Sequence, residues 1–169
     1  MLIGHFPAGF IFSSLLVSKL ADRGFDLRYV VLAGVIGAVA PDLDMFYFYL
    51  IDNRQHHHHT YWPHFPIVWL SLLMVFSLWF LFAAKKTIAL LGLAFSANGL
   101  VHMLLDSIVG NIWWFAPILD KPFAMFTVPA LYNPWWLNFV FHWSFVLELI
   151  VLSWAIFLWY RKHVAHRLD

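Results

Sequence analysis

Residues 65–84 pass without one charged side chain. An apolar run of this length suits the hydrocarbon thickness of a bilayer, and in lipid the backbone must satisfy its own hydrogen bonds, which selects a helix. A second such run covers 87–109, interrupted by Asn98, His102 and Asp106, and a third covers 135–160, carrying His142 and Glu148. Two less extended candidates lie at 5–20 and 27–50. Together they predict an all-α, polytopic membrane helical bundle of about five transmembrane helices in a single domain, 1–169. Composition agrees, because 63% hydrophobic residues against 11% charged ones leave too little polar surface to cover a soluble fold. The N-terminal apolar run, 2–20, lacks the basic flank and small-residue cleavage site of a signal peptide, and Lys19 stands where that site belongs.

The basic residues set an orientation. With five crossings, one face holds Lys19, Arg23, Arg28, Lys85, Lys86, Arg161, Lys162 and Arg167, whereas the other holds only Arg54 and Lys121. The positive-inside rule then puts the C-terminus in the cytoplasm and the N-terminus outside. The expected location is the cell inner (plasma) membrane.

Residues that took no part in that assignment fall on the outer face. His5 opens the first span, Asp42 and Asp44 stand at the outer end of the second helix, and His56, His57, His58, His59 and His64 occupy the next loop. His102 and Asp106 lie in the last turns of the fourth span, and His142 lies near the start of the fifth. Only His163 and His166 belong to the basic tail. Ionisable groups within spans are costly and usually turn to the bundle interior, paired or ligating. His102 and Asp106 are four apart and share one helical face. Pro41 is expected to end the second helix at Ala40, leaving Asp42 and Asp44 on one side of an extended stretch. Gly34, Gly37, Ala38 and Ala40 allow another helix to approach just before these acids.

The chain has no cysteine, so disulfides and thiolate sites are excluded and any metal must be held by nitrogen and oxygen. A net charge of +1 argues against nucleic-acid binding through a basic surface. Each polar feature also has a structural reading. The His102–Asp106 pair serves equally as a hydrogen bond within the bundle, the His run as a solvated loop, and His142 as an interfacial residue bonded to backbone. Glu148 is either a structural partner or a catalytic group.

His5, the segment GVIGAVAPDLD at 34–44, the loop HHHHTYWPH at 56–64 and HMLLD at 102–106 together resemble the LexA-binding, inner-membrane-associated metal-dependent hydrolases. The likeness covers roughly residues 2–117. That family is in turn distantly similar to the zinc-dependent phospholipase C and single-strand nuclease superfamily, all-helical proteins that hold zinc through His and Asp. The resemblance implies ligands at His5, Asp42 and/or Asp44, His59 or His64, His102 and Asp106, with His58 and His142 as further candidates. The family loop reads His, Arg, Gly, any residue, Thr, His. If His59 and His64 are its two histidines, Thr60, Tyr61 and Pro63 stand here in place of its Arg, Gly and Thr, and Arg54 could substitute as the phosphate-binding group.

The expected function is therefore that of a metal-dependent hydrolase acting on a phosphoester, lipids included, with two or more Zn²⁺ ions. Asp44 or Asp42 would bridge ions or orient water, and Glu148 is a third catalytic candidate. The aromatic residues between Trp113 and Trp136 suit the lipid headgroup level, so membrane lipid or another amphipathic molecule is the expected partner. The alternative is a metal-binding transporter or metal-delivery protein with the His run as its funnel. Against it, the cytoplasmic halves of the third and fourth spans carry no ionisable group. A membrane scaffold with a structural metal is a third reading.

Overall fold

The computed structural model describes residues 3–20 and 25–168, with the side chains of 163 and 165–168 left aside. Arg23 lies outside the described residues, as do the side chains of His163, His166 and Arg167. Helix α1 spans His5–Ser18 and α2 spans Leu27–Val39; α2 runs through a 3₁₀ turn, Ala40–Leu43, into α3, Asp44–Leu50. Short 3₁₀ turns at His58–Thr60 and Trp62–His64 lead into α4, Pro66–Phe82. Helix α5 spans Thr87–Val109, α6 spans Trp136–Val140 and α7 spans Ser144–Leu168. By length and composition Leu27–Leu50, Thr87–Val109 and Ser144–Lys162 can each cross a membrane, and α1 and α4 are shorter apolar helices.

Small residues decide the packing. Helices α1, α2 and α5 pack on one another, α4 packs on α5, and α7 on α1. A Cβ on Gly37 would collide with the Phe95 carbonyl, and one on Gly99 with the Trp69 ring, so these glycines let α2 and α4 close onto α5. Asn98 on α5 ties the same region to α1 by donating to Ser13 Oγ at 3.1 Å. The outward faces remain apolar, with Leu81, Phe82, Trp154 and Phe157 exposed where lipid is the solvent.

Two local expectations are corrected. Pro41 does not open an extended stretch, because Ala40 stays helical (φ −56°, ψ −36°) and Pro41 sits in the first turn of the 3₁₀ segment. Its missing N–H costs little there, since amides of a first turn lack intrahelical partners. At three residues per turn Asp42 and Asp44 diverge instead of sharing one side. The last span is also broken between α6 and α7. Asn138 binds the backbone of Leu131, Tyr132 and Trp135, and His142 Nδ1 accepts the Ser144 amide at 3.3 Å to start a new helix.

Gly37→Val is expected to destabilise the protein by about 1–3 kcal/mol through overpacking. Thermal unfolding in detergent should show this as a lowered midpoint, whereas Ile36→Val, on the exposed face, should leave the midpoint unchanged. Equal midpoints for the two variants would remove the close α2–α5 contact from the account.

Candidate metal centre

The first residue of α1, the 3₁₀ turn after α2, the loop before α4 and the final turns of α5 all end at one pole of the bundle. His5 places Nδ1 3.2 Å from Asp42 Oδ2 and Nε2 3.1 Å from Asp106 Oδ1. His102 Nε2 lies 3.0 Å from Asp106 Oδ2 and 3.6 Å from Asp42 Oδ1. His64 Nε2 faces the same two carboxylates at 3.7 and 3.9 Å. The His5 ring stacks on His102 with centroids 3.6 Å apart. All of these groups are buried except Asp42, whose side chain is 34% exposed.

The far edges of the rings are already engaged. His102 Nδ1 donates to the Ala38 carbonyl at 2.7 Å, and His59 Nδ1 donates to the Asn111 carbonyl at 2.9 Å. A carbonyl can only accept, so in the neutral rings Nε2 carries the lone pair. Those lone pairs point at Asp106 Oδ2, from 3.0 Å for His102 and 3.5 Å for His59. Lone pair against carboxylate is repulsive unless a cation lies between. The buried Nε2 atoms of His5, His64 and His102 also have no hydrogen-bond partner. Donor atoms of Asp42, His64, His102 and Asp106 lie within 4.8 Å of one another, as do those of His58, His59 and His64. This nitrogen and oxygen set fits a borderline divalent ion such as Zn²⁺, and carbonyls that fix the tautomer by bonding the ring's far nitrogen are usual around such ions.

Asp44 takes a supporting position. Its Oδ2 lies 2.6 Å from His64 Nδ1, on the side of the ring away from Asp42 and Asp106, and its Oδ1 lies 3.7 Å from His58 Nδ1. Burial opposes charge on His64, but the carboxylates of Asp42 and Asp44 outweigh it and hold the ring's pKa up at about 9. Burial pushes His59 the other way, well below the ordinary histidine value. His56 is diverted from the cluster. Its Nδ1 lies 2.7 Å from Asp52 Oδ1, and this hydrogen bond holds Asp52 down at about 2.

A cavity of about 480 Å³ opens over the cluster. Asp42, Asp106 and the rings of His57, His58 and His59 line its polar side; Met45, Phe126, Val128, Trp135 and Phe139 line its apolar side. The segment after α5 is folded across this opening, with Ile112 and Phe123 exchanging backbone hydrogen bonds at 2.9 Å and Phe126 donating to Ile108 at 3.0 Å.

Of the residues expected at a site, His5, Asp42, Asp44, His58, His59, His64, His102 and Asp106 come together. His142 does not join them, since its ring is engaged with Ser144 and Trp143 in the break before α7. Glu148 lies outside both donor groups and binds the amides of Ile3 and Gly4. Arg54 lies over the Tyr49 ring, and neither it nor any other Arg or Lys is among the described residues lining the cavity. The carbonyls of Ala38 and Asn111 gave no signal in the sequence, because they act through backbone.

The bundle and its buried donors define a polytopic membrane protein with a candidate metal centre. Over residues 1–165 the sequence matches the family described as YdjM inner membrane protein, and the chain belongs to that family, the LexA-binding, inner-membrane-associated one that its motifs resemble. It is thus an inner membrane protein, and the match continues past the motifs through most of α7. No curated protein and no solved structure matches the chain.

The raised pKa of His64 fixes a pH dependence for metal-stripped protein. A folded pKa above the unfolded value of 6.5 contributes stability in full below 6.5 and loses it as pH rises through about 9. The thermal midpoint should therefore fall between those values, and His64→Gln should flatten the decline. The same slope in the variant would assign it to another group.

Proposed function

We propose that this inner membrane protein is a metal-dependent hydrolase, with Zn²⁺ held by His5, Asp42, His102 and Asp106 and a second ion by His58, His59 and the Nε2 edge of His64. The observation that carries this reading is the meeting of buried histidine Nε2 atoms with the carboxylates of Asp42 and Asp106, while the His102 Nδ1 is already spent on Ala38. Ions bound there would polarise an ester oxygen and acidify a water. The chain's own groups orient the ligands: Asp44 holds the His64 ring, Ala38 and Asn111 hold His102 and His59, and the folded segment 111–128 limits water access. Asp42, partly exposed at the cavity floor, is the carboxylate placed to receive or orient a proton.

Charge favours a phosphoester with two ions. Asp42 and Asp106 line a cavity without an Arg or Lys among its described lining residues, and Asp44 adds a third carboxylate behind His64. One divalent ion leaves these carboxylates in excess and repels an anionic substrate, whereas two reverse the sign. The apolar wall of Phe126, Val128, Trp135 and Phe139 suits the non-polar part of an amphipathic molecule, a membrane lipid included. The positive-inside distribution favours a site on the non-cytoplasmic face, with the C-terminus in the cytoplasm.

Metal analysis of purified protein, paired with hydrolysis of p-nitrophenyl phosphomonoesters and phosphodiesters, tests this. Zinc and turnover should disappear together on chelation and return together. Outer partners of metal ligands are worth about 10–100-fold, so His102→Ala and Asp106→Asn should each cost at least about 100-fold in kcat/KM. Full turnover in either variant sinks the enzyme reading. Stoichiometric zinc without hydrolysis of any phosphoester would instead favour metal delivery or a structural metal.

A further inference from the structure

Glu148 has no part in that chemistry, yet it is one of the most deeply buried ionisable groups in the chain, at 1% exposure. A carboxylate inside a membrane bundle is costly and marks a required contact. Its Oε2 accepts the backbone amides of Ile3 at 2.5 Å and Gly4 at 2.9 Å. Gly4 is the N-cap of α1 and offers no capping side chain, and the residue after it is His5. The first amides of a helix lack partners and carry positive potential, so a carboxylate received there fixes the helix end in place. Here that carboxylate comes from a different helix, α7, which packs along α1.

We infer that Glu148 is a positioning residue: by clamping the amides of Ile3 and Gly4, it holds α1 in the register that delivers His5 to Asp42, Asp106 and the His102 ring. This rests on the reading of the cluster as a metal centre. His5 is the ligand that α1 supplies among the described residues, and it stands at the helix's first position, where an unanchored turn frays. The clamp also gives α7, which contributes no donor to either group, a direct mechanical link to the centre.

The absence of cysteine makes a clean probe, because His5→Cys introduces a single thiol. In full-length protein in detergent, maleimide labelling of that thiol should be slow, become roughly tenfold faster on adding Glu148→Ala as the helix end opens, and stay slow with Glu148→Gln, whose carbonyl can accept the same amides. Glu148→Asp retracts the oxygen and should shift labelling in the same direction if the alanine variant does not fold. In chains with no introduced thiol, zinc affinity measured by chelator competition should fall about 10–100-fold for Glu148→Ala, and the double variant with His5→Ala should lose no more than His5→Ala alone. Unchanged labelling in Glu148→Ala, or losses that multiply in the double variant, would overturn the proposal. A wild-type protein that binds no zinc overturns the metal reading and the ligand role of His5, while labelling still decides whether Glu148 places residue 5.

Discussion

The carboxylate of Asp106, sealed at one pole of the bundle, is the constraint around which the rest is arranged. A buried carboxylate is tolerated only with positive partners at close range. Here it is ringed by His5, His59, His64 and His102 at 3.0 to 3.9 Å. Two of those rings have their other nitrogen committed to backbone carbonyls, so they cannot satisfy the carboxylate as neutral donors. A cation between those nitrogens and the carboxylate would remove that mismatch, and the donor atoms stand close enough to hold one. In metal-free protein the pKa of His64 is held up at about 9 against burial, chiefly by Asp42 and Asp44, with Asp106 adding the smaller share.

The helices exist, in large part, to bring those groups together in a solvent that would otherwise reject them. Close α2–α5 packing at Gly37 sets Ala38 beside His102, so a glycine next to the accepting carbonyl governs the tautomer of His102. The 3₁₀ turn through Pro41 points Asp42 and Asp44 in different directions, and this divergence gives them different work. Asp42 lines the cavity and lies beside the buried rings of His5 and His102, while Asp44 grips the opposite nitrogen of His64. Two similar carboxylates, two residues apart, thereby become one ligand candidate and one orienting group.

The histidine loop is sorted by the same local forces. His56 is held by Asp52, His59 is anchored through Asn111, and His58 and His64 meet at Asp44. A run that looks uniform in sequence thus divides into members inside and outside the cluster. The broken last span is a second such case. His142 serves the start of α7, while Glu148 reaches across to the beginning of α1.

Much of this was legible in the chain. Uninterrupted apolar runs determine that helices form in a bilayer, because lipid leaves backbone groups no other partner. Histidines and aspartates recurring at one end of successive spans determine that a polar site collects there, because ionisable groups in lipid must turn inward to one another. Sequence also put His102 and Asp106 on one helical face through their spacing alone. What only the tertiary structure decided was the assignment of roles: which loop histidines join, that Asp44 supports and Asp42 faces the cavity, that His142 stays apart and that Glu148 binds α1. These depend on backbone carbonyls, on turn geometry and on contacts between residues as distant as Gly4 and Glu148, and no local pattern encodes a partner that packing alone supplies.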